Sequence, residues 1–275
     1  MNRQPIVLAY GGGTNSTGML VGMHERGERP DLILFSNTGD ERPEIYKHIE
    51  VVNEWCRSVG FPQIITIVKG GIAETLEQNC LRLERLPSIA YGWKTCSQKF
   101  KGEPQLKFCN NWEPARLAWE CGLKIVKILG YDADETRRAT PRIDPKYDYR
   151  YPLIEWDWSR DDCIAAIARA GLPQPGKSAC FYCPSSKRHE IDKLRAEHPL
   201  LFQRALAMEK NAEPNFGTIG GLGRYFSWHE HDDTPESRAF AERARERVRA
   251  GRAPKPDERQ TQLPIETPCD CYDGD

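Results

Sequence analysis

The chain has 275 residues, of which 39% are apolar, and its formal net charge is −1. That length is enough for one large α/β domain with a small appended part. A charge this close to zero gives no overall attraction to nucleic acid, so any basic contact surface has to be local. No apolar run approaches the ~18 residues of a membrane span, and the N-terminus lacks the pattern of a signal peptide. We therefore expect a cytoplasmic protein with no membrane partner.

Short apolar runs alternate with helical patterns along the chain. Each run is bounded by turn residues, which is typical of strands that are buried on both faces of a parallel sheet. Pro43 opens one helical pattern, and Ser159 opens another late in the chain. The predicted strands lie at residues 6–10, 32–35, 64–68 and 125–129. This order predicts an α/β fold with an open, mostly parallel twisted sheet and helices on both faces.

The chain changes in composition near residue 170. Residues 1–170 carry the alternation of strands and helices, and we predict that they form the ligand-binding α/β domain. Residues 171–275 contain a cysteine-bearing loop, helical segments and a polar tail, so we predict a smaller irregular and helical part packed on that domain. Between the third and fourth strands, residues 91–107 read as an irregular basic stretch.

A glycine-rich segment follows the first strand and precedes a helix. Its residues, which we call the glycine loop, are Gly11, Gly12, Gly13, Thr14, Asn15, Ser16 and Thr17. Backbone N–H groups and a helix N-terminus converge on an anion at such a junction, and glycines let the main chain approach phosphate oxygens. The spacing matches neither a Walker A motif nor the dinucleotide fingerprint. We predict phosphate binding, with a glycine-rich turn that holds no ligand as the alternative.

The glycine loop resembles the PP-loop, Ser-Gly-Gly-x-Asp-Ser, of the adenine-nucleotide α-hydrolase superfamily. That superfamily includes ATP pyrophosphatases and the phosphoadenosine phosphosulfate (PAPS) reductase family. Gly12, Gly13 and Ser16 match the motif, whereas Gly11 stands in the place of its Ser and Asn15 in the place of its Asp. Asn15 thus removes a negative charge from the loop.

Further segments resemble the PAPS reductase family in the same order along the chain. They are the strand end at residues 35–39, the cysteine segment at 96–104, the turn at 130–137 and the segment at 151–156. The turn is similar to the family's Gly-x-Arg-x-x-Glu-Ser-x-x-Arg. The resemblance implies an adenine-nucleotide site. Besides the glycine loop, its residues would be Asn37, Thr38, Gly39, Gly130 and Arg137. For Arg137, a phosphate contact and a solvated helix face are both open.

A pair of cysteines in a polar loop is the clearest sign of a metal. Cys180 and Cys183 are separated by two residues, and Pro184 follows directly. Thiolates at this spacing can bind one ion, and a proline after a ligand cysteine is typical of iron–sulfur loops. A zinc knuckle has the same spacing, so zinc is the alternative to a cluster.

The resemblance implies a third ligand, Cys96, because family members with a 4Fe–4S cluster pair a cysteine of this segment with a later Cys-x-x-Cys. The fourth ligand is open. Cys271 is our prediction, and the alternatives are Cys269, Cys109 or no protein residue. The remaining cysteines are predicted to be core packing residues: Cys56, Cys80, Cys121 and Cys163.

The segment from Arg238 to Lys255 is rich in arginine and glutamate. We expect a solvated helix with charge pairs between successive turns. Contact with a phosphate backbone is the alternative, in which Tyr225 and Trp228 could stack on bases.

Taken together, the resemblance implies an ATP-using sulfur-transfer enzyme that cleaves ATP, with Mg²⁺, to AMP and pyrophosphate and so activates an acceptor. DNA phosphorothioation is the expected setting, with DNA and a cysteine desulfurase as partners. One alternative is a PAPS-like sulfonucleotide reductase, although the chain lacks that family's Glu-Cys-Gly-Ile/Leu-His tail. Another is a zinc-stabilised nucleotide-binding module without catalysis. The residues alone assign no catalytic group.

Overall fold

The computed structural model describes residues 3–70, 74–139 and 143–251. Within them, five parallel strands form one sheet in the order β3-β2-β1-β4-β5. The strands are β1 (Ile6–Tyr10), β2 (Leu32–Asn37), β3 (Ile64–Val68), β4 (Ile125–Leu129) and β5 (Tyr147–Arg150). The predicted open α/β fold is confirmed.

Helices surround the sheet and continue beyond it. The helices are α1 (Thr14–Glu25), α2 (Pro43–Ser58), α3 (Leu76–Arg82), α4 (Thr95–Ser97), α5 (Glu103–Asn111), α6 (Glu113–Glu120), α7 (Pro152–Glu155), α8 (Arg160–Arg169), α9 (Arg188–Glu197), α10 (Pro199–Ala212) and α11 (Pro235–Ala250). A π-helical segment, Gln98–Gly102, joins α4 to α5, and a 3₁₀ segment, Ala133–Arg138, follows β4. In the described part of the chain, none of the helices has the length and apolar character needed to cross a membrane.

Helix α1 packs closely against α8 on one face of the sheet. A Cβ at Gly18 would lie 2.6 Å from the Cβ of Cys163, so glycine is required for this approach. Cys163 and Cys56 are fully buried, as predicted for packing residues. The same prediction is wrong for Cys121, which is exposed because it caps the C-terminus of α6.

The prediction of an irregular stretch over residues 91–107 is also wrong. Most of it is helical, from α4 through the π-helical segment into α5, where Pro104 occupies the first turn. The hydroxyl of Ser36 donates to the carbonyl of Lys101 at 2.9 Å and holds the π-helical segment against β2. Lys101 is buried, so a basic side chain in this stretch does not indicate exposure to solvent.

The largest group of buried apolar residues lies beyond the sheet. It combines side chains of α3 and of the segment before α5, such as Leu76 and Phe100, with side chains of α9, α10 and α11, such as Phe202 and Phe240. The division near residue 170 stays a prediction, although this core draws on both sides of it.

The order of the strands creates a switch point at the carboxyl end of β1. From β1 the chain crosses to β2 on one side, while β4 pairs with β1 on the other. In open α/β sheets, ligands bind in the crevice that such a reversal leaves outside the strand ends. The glycine loop and the turn after β4 both lie at this crevice.

Candidate functional site

The glycine loop turns directly from β1 into α1. Gly12 has a φ of +81°, in the left-handed region that favours glycine. A Cβ there would also lie 2.9 Å from the Cγ2 of Ile45. Gly13 is the N-cap of α1, and in the described chain no side chain caps the first amides of this helix. Those amides are therefore suited to an anion.

Gly130, immediately after β4, lies against the first turn of α1. A Cβ at this position would be 3.4 Å from the backbone nitrogen of Ser16. The structure thus brings Gly130 beside the glycine loop, as expected for one crevice. Its contact with a nucleotide stays a prediction.

The hydroxyls of the glycine loop are engaged within the protein. Ser16 and Thr17 donate to the carbonyl of Gly13 at 3.1 and 2.9 Å. The Thr17 hydroxyl also lies 2.9 Å from the hydroxyl of Tyr10 and 3.1 Å from Nε2 of His48. Burial lowers the pKa of His48 to about 4, so this ring is neutral at pH 7. These contacts fix the shape of the loop.

Two of the departures from the family motifs meet in one contact. Nδ2 of Asn15 donates to Oδ2 of Asp132 at 2.8 Å, and both residues are buried. Asn15 stands where the PP-loop has Asp, and Asp132 stands where the Gly-x-Arg turn has Arg. An Asp at position 15 would bring two carboxylates together, so the two differences compensate each other. Oδ1 of Asn15 is buried without a hydrogen-bond partner among the described residues.

The arginines after β4 differ in their surroundings. Arg138 pairs with Glu135, and its guanidinium lies 4.2 Å from the ring centre of Tyr131. Arg137 is exposed on the same 3₁₀ segment. A phosphate contact by Arg137 stays a prediction, and the paired Arg138 has a structural role.

The residues after β2 lie next to the thiols. Oδ1 of Asn37 accepts from the backbone N of Gly39 at 2.8 Å and from the hydroxyl of Tyr46 at 2.9 Å. The Thr38 hydroxyl lies 3.2 Å from Sγ of Cys180. Thr38 thus contacts the cysteine loop, and its place in an adenosine pocket stays a prediction.

Cys96, Cys180 and Cys183 line one small cavity, which we call the thiol cavity, with a volume of about 20 Å³. Cys180 and Cys183 are buried, and Cys96 is half-buried. Cys180 forms an antiparallel bridge with Glu41, and the backbone N of Cys183 donates to the carbonyl of Cys180 at 3.0 Å. The structure therefore brings together the three cysteines that the sequence singled out.

A buried ion pair lies beside these thiols. Nζ of Lys101 is 2.9 Å from Oε1 of Glu41, and both side chains are almost completely buried. Burial raises the pKa of Cys180, and Glu41 raises it further while Lys101 opposes the shift. Burial likewise raises the pKa of Cys183. Both thiols are therefore protonated until a metal displaces the protons, and Lys101 would then offset the thiolate charge.

The described thiols are not gathered around a single point. Among the residues that the structure describes, no three cysteine sulfurs lie within 4.8 Å of one another. A tetrahedral zinc would hold its thiolates about 3.8 Å apart, whereas a cubane cluster binds each thiolate at a different iron and accepts a wider spacing. The cluster, with zinc as its alternative, stays a prediction.

Cys80 is buried in the core beyond the sheet, as predicted for a packing residue, and it also lies beside Cys96. Burial raises its pKa and the neighbouring Cys96 raises it further, so the two thiols are close. Cys109, in contrast, is buried in a separate core cluster with Val7. Cys269 and Cys271 lie outside the described residues. Nothing in the sequence distinguishes Cys80 from a core cysteine on the apolar side of a short helix.

One short segment connects the glycine loop to the thiols. The hydroxyl of Ser178 donates to the carbonyl of Gly11, and two residues later Cys180 touches Thr38. Between them, the carbonyl of Ala179 accepts from the backbone N of Arg42 at 3.2 Å. The two predicted sites therefore share one edge of the sheet.

A different set of ligand atoms lies on α2, α9 and α10. Glu44, Glu197 and His198 place carboxylate and imidazole atoms within 4.8 Å of one another. His198 forms an ion pair with Glu44, and this contact accounts for the approach without a metal.

Three arginines of α11 pair with glutamates outside the helix, whereas the sequence predicted charge pairs between its own turns. Arg243 and Arg247 both bond Glu213, at 3.1 and 2.8 Å. Trp228 is fully buried, so the expectation that it could stack on a base is wrong. Tyr225 is exposed. The phosphate-backbone alternative therefore loses most of its support.

Comparison of the chain with models of known protein families and with curated proteins found no match.

Proposed function

We propose that the protein is an ATP pyrophosphatase-type enzyme that activates an acceptor for sulfur transfer, in nucleic-acid sulfur modification of the phosphorothioation type. The observation that carries this proposal is the segment at residues 178–180, which bonds the glycine loop at one end and contacts Thr38 beside the thiol cavity at the other. Activation by ATP and delivery of sulfur need two sites around one acceptor, and this segment holds two such sites together.

The crevice between β1 and β4 supplies the groups that a nucleotide triphosphate needs. The uncapped amides and the positive end of the α1 dipole favour the phosphates. Oδ1 of Asn15 and the carboxylate of Asp132 are hard oxygen ligands that would hold Mg²⁺. When bound, the ion would neutralise charge on the phosphates and on the leaving pyrophosphate.

The proposed first step is attack by an acceptor oxygen on the α-phosphorus of ATP. A new P–O bond forms while the bond between the α-phosphorus and the bridging oxygen breaks, and pyrophosphate leaves with that electron pair. The amides of the glycine loop stabilise the charge that develops. A sulfur nucleophile at the oxidation level of hydrosulfide then displaces AMP from the activated acceptor, without net oxidation or reduction.

Cys96, Cys180 and Cys183 would hold the cluster at the acceptor side of the crevice. A 4Fe–4S cluster with an iron free of a protein ligand would supply a site for sulfide there. A cysteine desulfurase is the proposed source of the sulfur, and DNA is the proposed acceptor.

The test is anaerobic incubation of the purified protein with ATP, Mg²⁺ and inorganic sulfide, with and without DNA, followed by separation of the nucleotides. We expect pyrophosphate when DNA is present, with an equal amount of AMP because sulfide displaces it from the activated acceptor. ADP and phosphate, or intact ATP in both incubations, would contradict the proposal.

A further inference from the structure

A second cavity, of about 490 Å³, adjoins the thiol cavity. The two cavities share Leu76, Pro87 and Cys96 in their walls. Small-molecule sites commonly have volumes of about 300–1,000 Å³, so the second cavity can hold a ligand of nucleotide size. Among the predicted metal ligands that the structure describes, Cys96 alone is half-buried, and it lines both cavities.

Two aromatic side chains in the wall are held by a tight turn. The 3₁₀ segment Ser88–Tyr91 ends at Gly92, whose φ is +92°, and the backbone N of Trp93 then bonds the carbonyl of Ser88 at 2.9 Å. The hydroxyl of Tyr91 accepts from the backbone N of Leu86 at 3.3 Å. Tyr91 and Trp93 are both half-buried. Fixed aromatic faces of this kind support the stacking of an unpaired base.

The charged side chains in the wall of the second cavity are positive. Arg85 and Lys99 contribute to it, and none of the described residues that line the cavity is acidic. Both cations are exposed, so a ligand that enters the cavity can reach them. In a chain whose net charge is −1, this concentration of positive charge is local. The wall therefore favours an anionic ligand with a planar apolar part.

We propose that this cavity takes a nucleotide unit as the acceptor, with its base stacked on Trp93 and its phosphate held by Arg85 and Lys99. The assignment of the unit as acceptor rests on the proposed function, since it brings the nucleotide to Cys96. The binding itself is independent of ATP cleavage. A free mononucleotide and an unpaired nucleotide in a nucleic-acid strand carry the same chemistry.

The experiment titrates the full-length protein, without ATP, with a fluorescein-labelled ten-residue oligo-deoxythymidylate and separately with thymidine 5′-monophosphate. Anisotropy and tryptophan fluorescence report binding. We expect Trp93→Ala to weaken binding by about tenfold or more, and Trp93→Phe to restore most of it. Replacing Arg85 and Lys99 together by glutamine should weaken binding and flatten its salt dependence.

Trp119 provides a matched control. It is also a half-buried tryptophan, with Nζ of Lys146 4.4 Å from its ring centre. Trp119→Ala should leave the affinity for both probes unchanged, and thermal unfolding would show that each variant is folded. Binding of the strand alone identifies nucleic acid as the source of the nucleotide, whereas equally tight binding of the monophosphate identifies a free nucleotide.

Failure of this inference differs from failure of the proposed function. If the wild type cleaves ATP to AMP but binds neither probe, or if the Trp93 and Arg85/Lys99 variants bind as tightly as the wild type, the acceptor cavity is overturned alone. If the probes bind as expected but ATP stays intact with and without DNA, the cavity stands as a nucleotide-binding site and the ATP pyrophosphatase function is overturned.

Discussion

The glycine loop and the thiol cavity share one edge of the sheet, yet they are built from different parts of the chain. The glycine loop is one continuous segment whose side chains bond its own backbone, as Ser16 and Thr17 do with Gly13. The thiol cavity is assembled from separate segments around the buried pair of Lys101 and Glu41. The first should therefore depend on local conformation, and the second on long-range packing and charge.

Removing one member of the buried ion pair should have the largest effect. Lys101→Met leaves the Glu41 carboxylate buried and unpaired, which should lower the free energy of unfolding by about 3–5 kcal/mol. Urea denaturation measures this. Lys210→Met is the control, because the pair of Lys210 and Glu236 is exposed to water and should contribute little to stability. Equal effects of the two substitutions would contradict the role assigned to Lys101.

A second buried carboxylate, Glu209, should make the core beyond the sheet sensitive to pH. It accepts hydrogen bonds from Leu222, Ser227, Trp228 and His229, yet burial raises its pKa to about 7. A carboxyl with a raised folded-state pKa contributes stability that is complete below its unfolded pKa, near 4.5, and is lost as the pH rises towards 7.

The stability of the wild type should therefore fall between about pH 4.5 and 7, by up to about 3 kcal/mol from this group. Glu209→Gln should remove that part of the slope in urea denaturation at a series of pH values. The same slope in wild type and variant would show that Glu209 does not titrate in this range.

In the contact between Asn15 of the glycine loop and Asp132, the amide and the carboxylate should be interchangeable between the two positions. Asn15→Asp places two carboxylates together and should lower the free energy of unfolding at pH 7 by about 1–3 kcal/mol. Adding Asp132→Asn restores one donor and one acceptor and should recover most of the loss. Thermal and urea unfolding of the two singles and the double measure the coupling. Additive losses would show that the contact is not specific.

Loss of a ligand thiol should affect iron content more than stability. After anaerobic reconstitution, Cys180→Ser and Cys183→Ser should lose most of the iron and acid-labile sulfide. Cys80→Ser and Cys109→Ser should resemble the wild type, because the proposed cluster has three protein ligands and neither of these core cysteines is among them. Loss of iron in either of these two variants would identify a fourth protein ligand and contradict the open iron.

Several elements could be predicted from the sequence because their signals are local. The apolar run of β1, the glycines after it and Pro43 at the start of α2 lie where expected. Ser159 caps α8 and forms a capping box with Asp162. Strand β5 was not predicted, because its residues alternate aromatic and charged side chains at the edge of the sheet and form no apolar run.

The sequence by itself determined the α/β order, the glycine loop and the spacing of Cys180 and Cys183, since each depends on neighbours within a few residues. Only the tertiary structure decided which distant groups meet. Asn15 and Asp132 are separated by 117 positions, and Thr38 and Cys180 by 142. Such pairs form when parallel strands end at one edge and the helices beyond the sheet close a common core over it. A sequence pattern carries no record of that geometry.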